Sequence, residues 1–493
     1  MFIKSFNTWV NTCLKLSISI VLLTSLFLIN TLPVHASTDV GGPITTDTVW
    51  TVSNSPYIVV ASVEVWEGVK LTVEPGVIVK FNSGTKLQVN GELIVQGTDS
   101  TPIVFTSNQD SPAPGDWGNI EFTSTAITTT IDSGNNYVGG SIMSHCVVEY
   151  GGNQAESVIV ARSLMINHCT VQNNTARGIF NVGTEASPSV ITNNVISNNS
   201  VKVANSASNL YGGGIYAEYS AVIANTVNNI SIEVADVSEV FDGILGGGIY
   251  ARFSSVKDNN VSGSSVAVSR NYPHEANVHG GGIYAEYSSI SGNTVVSNII
   301  KAKGCRAYAL GGGIYAWDSI VTENIINDNS TSAEADCSQS TANSYGGGLY
   351  LFDSMATGNR INGNSAHSSP GYSRGGGVYV VHNSTLTENT VVGNSSSEGG
   401  GVYAYAGSDT YVDDNISVTV ISNVISENTA TYNGGGIYAY AFGQYNASVD
   451  VSSNIVHGNI TEGNGGGLHI YAHTNAYSCY ANANVSGNIF SNC

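Results

Sequence analysis

Gly212-Gly213-Gly214-Ile215-Tyr216-Ala217-Glu218-Tyr219 opens a unit that returns along the chain. Nine Gly triplets, each followed by an apolar residue and usually Tyr, begin at Gly212, Gly246, Gly280, Gly311, Gly346, Gly375, Gly399, Gly434 and Gly465. Their spacings are 34, 34, 31, 35, 29, 24, 35 and 31 residues. Periods of this length mark solenoids, propellers or arrays.

The residues after each triplet choose among these. A β-prone stretch comes first, then pairs such as Asn293-Thr294-Val295, Asn324-Ile325-Ile326 and Asn389-Thr390-Val391. A second Asn follows five residues after the first at 293/298, 324/329, 359/364, 389/394, 423/428 and 454/459. No segment has helical periodicity, which excludes helical solenoids. A propeller blade needs four strands in about 40–45 residues, and the 24-residue spacing from Gly375 to Gly399 is too short for one. One coil of a parallel β-helix fits. Such a coil puts equivalent residues of successive turns about 4.8 Å apart. Gly then bends the backbone at the same corner of each turn, and buried Asn amides satisfy one another by stacking. Variable spacing is read as loops inserted between the second Asn and the next triplet, Lys301 to Leu310 being one. The predicted class is all-β, a right-handed single-stranded parallel β-helix.

Composition agrees. Hydrophobic content of 42% in 493 residues excludes a disordered chain. The net charge is -20, with 16 Lys and Arg and none of them clustered. Nucleic acid is excluded as a partner, because a phosphate backbone needs clustered basic side chains. Lys4 and Lys15, the apolar run Leu16 to Ile29 and Val34-His35-Ala36 read as a signal peptide cut after Ala36. No other apolar run is long enough to span a membrane, so the expected product is secreted or on the cell surface. The expected organisation is a signal peptide over 1–36, an N-terminal cap and first turns over 37–140, and the repeat β-helix over 141–493.

The Gly-Gly-Gly-Ile-Tyr-Ala and Asn-x-Ile-x-x-Asn pattern resembles right-handed parallel β-helix repeat proteins. It is similar to the repeats of polymorphic outer-membrane proteins, whose units carry Gly-Gly-Ala-Ile and a second motif ending in Asn. Leu71-Thr72-Val73-Glu74-Pro75-Gly76-Val77 and Asp116-Trp117-Gly118 resemble the start of many secreted β-helix proteins. A third Gly replaces Ala here, and no C-terminal barrel of alternating strands is seen, so self-anchoring is not expected. The resemblance implies a surface or outer-membrane setting and adhesion. It also implies the alternative of a polysaccharide lyase or glycoside hydrolase on the same scaffold.

Alternation along the strand sorts the side chains. Glu218, Arg252 and Glu286 share one position, and charges do not belong in a solenoid core. The Tyr face is therefore expected outside, as a long exposed aromatic strip. One column is Tyr216, Tyr250, Tyr284, Tyr315, Tyr350, Tyr379, Tyr403 and Tyr438, ending at His469. Beside it run Glu218, Arg252, Glu286, Trp317, Phe352, Val381, Tyr405, Tyr440 and Tyr471. Trp317, Phe352, Tyr405 and Tyr440 are the candidate sugar-stacking residues, with Arg252 and Glu286 as polar contacts. The alternative is that the rings only stack on one another to hold the strands.

Catalytic sets are thin. The Arg residues after the signal peptide, at 162, 177, 252, 270, 306, 360 and 374, are scattered. Asp413-Asp414 is the only adjacent Asp pair, and Gly-His-Gly and Arg-Ile-Lys motifs are absent. Asp318 and Asp353 share a repeat position beside the strip and read as corner turns, or as the edge of a groove. A non-catalytic protein is favoured. No cofactor and no metal are expected. His145-Cys146 and His168-Cys169 resemble a zinc set by composition, but adjacent residues on a strand face opposite sides. Cys146 and Cys169 sit at the Asn position and are read as core substituents or a disulfide. Cys305/Cys337 and Cys479/Cys493 are further candidate pairs. The expected partner is a polysaccharide or another cell-surface component.

Overall fold

The computed structural model describes residues 37–203, 210–235, 243–270, 274–337, 340–407, 415–443, 446–474 and 480–493. The expected signal peptide, Asp413-Asp414 and Cys479 lie outside them.

The coil from Gly311 shows how the sequence becomes structure. Strands Ile314–Trp317, Ile320–Thr322, Ile325–Asn327 and Ser330–Ala335 follow one another, and Ala342–Tyr345 returns to the next triplet. Corners fall at Asp318, Glu323 and Asp328, each with a positive φ. Ile314, Ala316, Val321, Ile326, Ala333 and Ala342 alternate inward and are fully buried. Each strand pairs in parallel with its counterpart one coil away. One sheet stacks 15 strands from Thr48–Trp50 to Ala481–Ser486. The chain is thus a right-handed parallel β-helix. A short 3-10 turn at Val52–Asn54 is the only helical element among the described residues.

Three consecutive glycines are needed for different reasons. Gly311 has φ +65°, which side chains rarely adopt. Gly312 and Gly313 lie so close to the next coil that a Cβ would come within 2.3 Å of Gly347 O and 2.7 Å of Gly348 O.

Two buried Asn ladders run along the corners. Asn324 Nδ2 donates to Asn359 Oδ1 at 3.0 Å, and Asn359 Nδ2 to Asn389 Oδ1 at 2.8 Å. Asn329, Asn364 and Asn394 repeat this one corner on. Cys146 and Cys169 occupy the first ladder: Cys169 N donates to Asn194 Oδ1, and the two sulfurs are 3.0 Å apart. They are unlinked, buried thiols. His145 and His168 point the other way and stack outside, ring centroids 4.6 Å apart.

Lys301 to Leu310 is not the inserted loop that the variable spacing suggests. Ile299–Gly304 runs out and Arg306–Leu310 runs back, both hydrogen-bonded to neighbouring coils. Ile300, Ala302, Ala307 and Ala309 alternate inward and are buried, so the excursion extends the core as a flat arm. Cys305 at its tip is joined to Cys337 of the next coil. Cys493 is a free, exposed thiol. Outgoing and returning strands belong to one sheet, whose order reverses at Ser395–Glu398. That strand ends the 24-residue coil, where the arm is shortest.

Candidate functional site

The register confirms both outward columns. Tyr216 pairs with Tyr250, Tyr284, Tyr315, Tyr350, Tyr379, Tyr403, Tyr438 and His469 in turn. The Tyr column is not an exposed strip, however. Tyr250, Tyr284, Tyr315, Tyr350, Tyr379, Tyr403 and Tyr438 are buried. Their rings stack nearly parallel, centroids 4.7 to 5.3 Å apart. The cause is the Gly triplet, which makes a concave corner. The residue before each triplet then faces the Tyr column: Tyr211 meets Tyr250, His279 meets Tyr315, and Tyr345 meets Tyr379, at 5.0, 5.0 and 4.7 Å. Arg374 lies 5.1 Å over the Tyr403 ring. A second apolar core thus fills the corner outside the solenoid. Loss of solvent there pushes the Tyr216 and Tyr438 hydroxyls up to about 12, with Glu218 and Glu398 adding to it.

The neighbouring column divides in two. Arg252 lies between Glu218 and Glu286, at 3.7 and 3.5 Å, as a charge ladder. Trp317, Phe352, Tyr405 and Tyr440 are half-buried and border a cleft of about 730 Å³. The cleft exists because Val381 interrupts the rings between Phe352 and Tyr405. Arg252 and Glu286 are not among its lining residues.

Asp318, Asp353 and His382 also line the cleft. They are the corner residues after Trp317, Phe352 and Val381, and all three have positive φ. His382 Nδ1 is 2.5 Å from Asp353 Oδ1. Loss of solvation, then the charge of Asp353, raises the Asp318 carboxyl above its usual range, while His382 and a hydrogen bond with Trp317 act the other way. Arg374 closes the inner wall: its Nε donates to Glu398 Oε2 at 3.0 Å and its Nη1 to the Tyr345 hydroxyl at 3.3 Å. Sequence reasoning placed the four rings and noted Asp318 and Asp353, but missed His382 and Arg374. The signal for His382 was its place in the corner column one coil beyond Asp353. For Arg374 it was its place immediately before a triplet.

A family profile described as a pectate-lyase-like β-helix domain matches residues 42–158. A 71-residue stretch, 14% of this chain, is 38% identical to the protein bark beetle of Drosophila melanogaster and spans 2% of that protein's length. Among solved structures, a GH136 lacto-N-biosidase from Eubacterium ramulus aligns at 12% identity and a TM-score of 0.27, over 87% of this chain and 63% of that one. A double mutant of the periplasmic alginate epimerase AlgG aligns at 13% identity and a TM-score of 0.29, over 86% and 77%. These likenesses carry no activity to this chain. Among the described residues no helix is long and apolar enough to cross a membrane.

Proposed function

We propose that this right-handed parallel β-helix repeat protein is a secreted or cell-surface scaffold that binds a glycan in the cleft over Val381. One observation carries the reading: four half-buried aromatic rings border a cleft whose rim holds Asp318, Asp353 and His382. Sugar rings offer apolar C–H faces that pack on aromatic rings, and hydroxyls that need fixed polar partners. The cleft supplies both. Its rings are also held from behind by the buried Tyr stack, so little order has to be gained on binding.

The test is a glycan-array screen of the full chain beside a Trp317→Ala/Tyr405→Ala double variant. Binding by the first, lost in the second with an unchanged β-sheet spectrum, supports the reading. A ligand bound equally by both overturns it.

Hydrolysis or elimination of the same chain is a second reading. It is favoured by Asp318 and Asp353 lying on adjacent coils at the rim of the same cleft, since a pair of carboxyls flanking a bound chain suits acid and base roles. Release of reducing ends or unsaturated products, lost in Asp353→Asn, would establish it. Ligand binding without turnover would leave the scaffold reading alone.

A further inference from the structure

The charges around the cleft are unevenly satisfied. Arg374 is tied to Glu398 and sandwiched against Tyr345 and Tyr403, at 5.6 and 5.1 Å from the ring centroids. His382 is tied to Asp353. Asp318 is exposed at the rim and takes part in none of the ion pairs among the described residues. We propose, resting on the reading of the cleft as a glycan site, that its ligand carries ammonium groups, as 2-amino-2-deoxyhexose units do, and that Asp318 receives one.

Three observations converge on a cation. Asp318 is in none of the ion pairs among the described residues, and Asp353 adds to the negative potential around it while His382 opposes it. The faces of Trp317, Tyr405 and Tyr440 carry the negative side of the ring quadrupole, which attracts an ammonium and not a carboxylate. The chain as a whole is at -20, so the long-range field also draws cations and repels a polyuronate. Of the two basic side chains at the cleft, Arg374 is already paired with the buried carboxylate of Glu398, and His382 is held by Asp353. A uronate would therefore find no unshared positive charge there.

The measurement is calorimetric titration of the full chain with three tetrasaccharides: glucosamine, its N-acetylated form, and galacturonate. Acetylation removes the charge and keeps the sugar frame. The glucosamine tetramer should bind about tenfold tighter than the acetylated one at low salt, and the ratio should shrink in high salt as the pair is screened. Asp318→Asn should bring the ratio to about twofold, the acetylated tetramer binding as before. Equal affinity for the charged and acetylated forms, or preference for galacturonate, overturns the ammonium proposal and leaves the glycan site standing. Glucosamine binding that survives Trp317→Ala/Tyr405→Ala is attraction to an acidic surface, and also overturns it. Failure of all three tetramers, with no other ligand found on the array, removes the glycan reading itself.

Discussion

Phe352 stacks face to face on His382, ring centroids 4.7 Å apart and planes 8° from parallel, although the two belong to different columns. The register partner of Phe352 is Val381, which has no ring to offer. The corner residue beside it takes that place. The same imidazole holds Asp353 through Nδ1. One small side chain in an aromatic column therefore opens the cleft and also lets a histidine be pinned against a carboxylate.

Val381→Tyr tests this directly. The new ring would complete the column and project into the cleft. Ligand affinity should fall by at least about tenfold while the melting temperature holds or rises, since cross-strand aromatic pairs stabilise adjacent strands. Unchanged affinity by calorimetry would show that the ligand sits elsewhere.

The two columns should differ in what they contribute to stability. Tyr350 is buried between Tyr315 and Tyr379, at 4.7 and 5.1 Å. Tyr350→Ala should cost about 3–5 kcal/mol, as for other buried aromatic truncations. Trp317→Ala, at the half-exposed rim, should cost about 1 kcal/mol. Equal shifts in denaturant midpoint would contradict a second core in the corner.

Asn359 accepts from Asn324 N and Nδ2 at 2.9 and 3.0 Å and donates from Nδ2 to Val321 O at 2.9 Å. Asn359→Leu leaves these groups without partners inside the core. The loss should be about 3 kcal/mol, read from equilibrium unfolding. Unchanged stability would mean that water or a shifted coil replaces the amide.

Two glycine substitutions should separate crowding from backbone strain. A Cβ at Gly312 would meet Gly347 O at 2.3 Å, whereas one at Gly393, with φ +65°, meets nothing within 4 Å. Gly393→Ala should cost about 1 kcal/mol through its conformation alone. Gly312→Ala should prevent the coils from closing and give little folded protein on expression. Equal yields and melting points would rule out backbone contact as the reason for the triplet.

Asp318 gives a pH-dependent prediction. Its folded-state pKa is raised, mainly by loss of solvation and then by Asp353. A raised carboxyl binds protons more tightly when folded, so stability declines as pH rises from the unfolded value through the folded one. Asp318→Asn should therefore raise the melting temperature slightly at neutral pH and leave it unchanged below the ordinary carboxylate range. A gain that is the same at both pH values would not come from this charge.

Much of the solenoid is legible from local pattern. Gly at one fixed position, Asn at two others and alternation between them define a coil, its inward side chains and its register with the next. Ile314 and Ala316 go in and Tyr315 and Trp317 go out for a reason confined to one strand. The position of Val381 among rings and the 24-residue spacing are visible too. They fall in the same coil, the one that carries the floor of the cleft and the shortest arm. Lys301 to Leu310 was misread because Ile300, Ala302, Ala307 and Ala309 are too few and too small to announce two strands; their partners in neighbouring coils make them so.

Periodicity and alternation thus determined the coil, the ladders and the membership of each column. The tertiary structure alone decided which outward residues are buried. Alternation states on which side of a strand a residue lies, but not how sharply the chain bends before that strand. The bend at each triplet turns the residue ahead of it, such as Tyr345, onto a Tyr of the following coil, and so converts an outer face into a second core. Where Val381 leaves a ring out of the neighbouring column, that corner opens into a cleft.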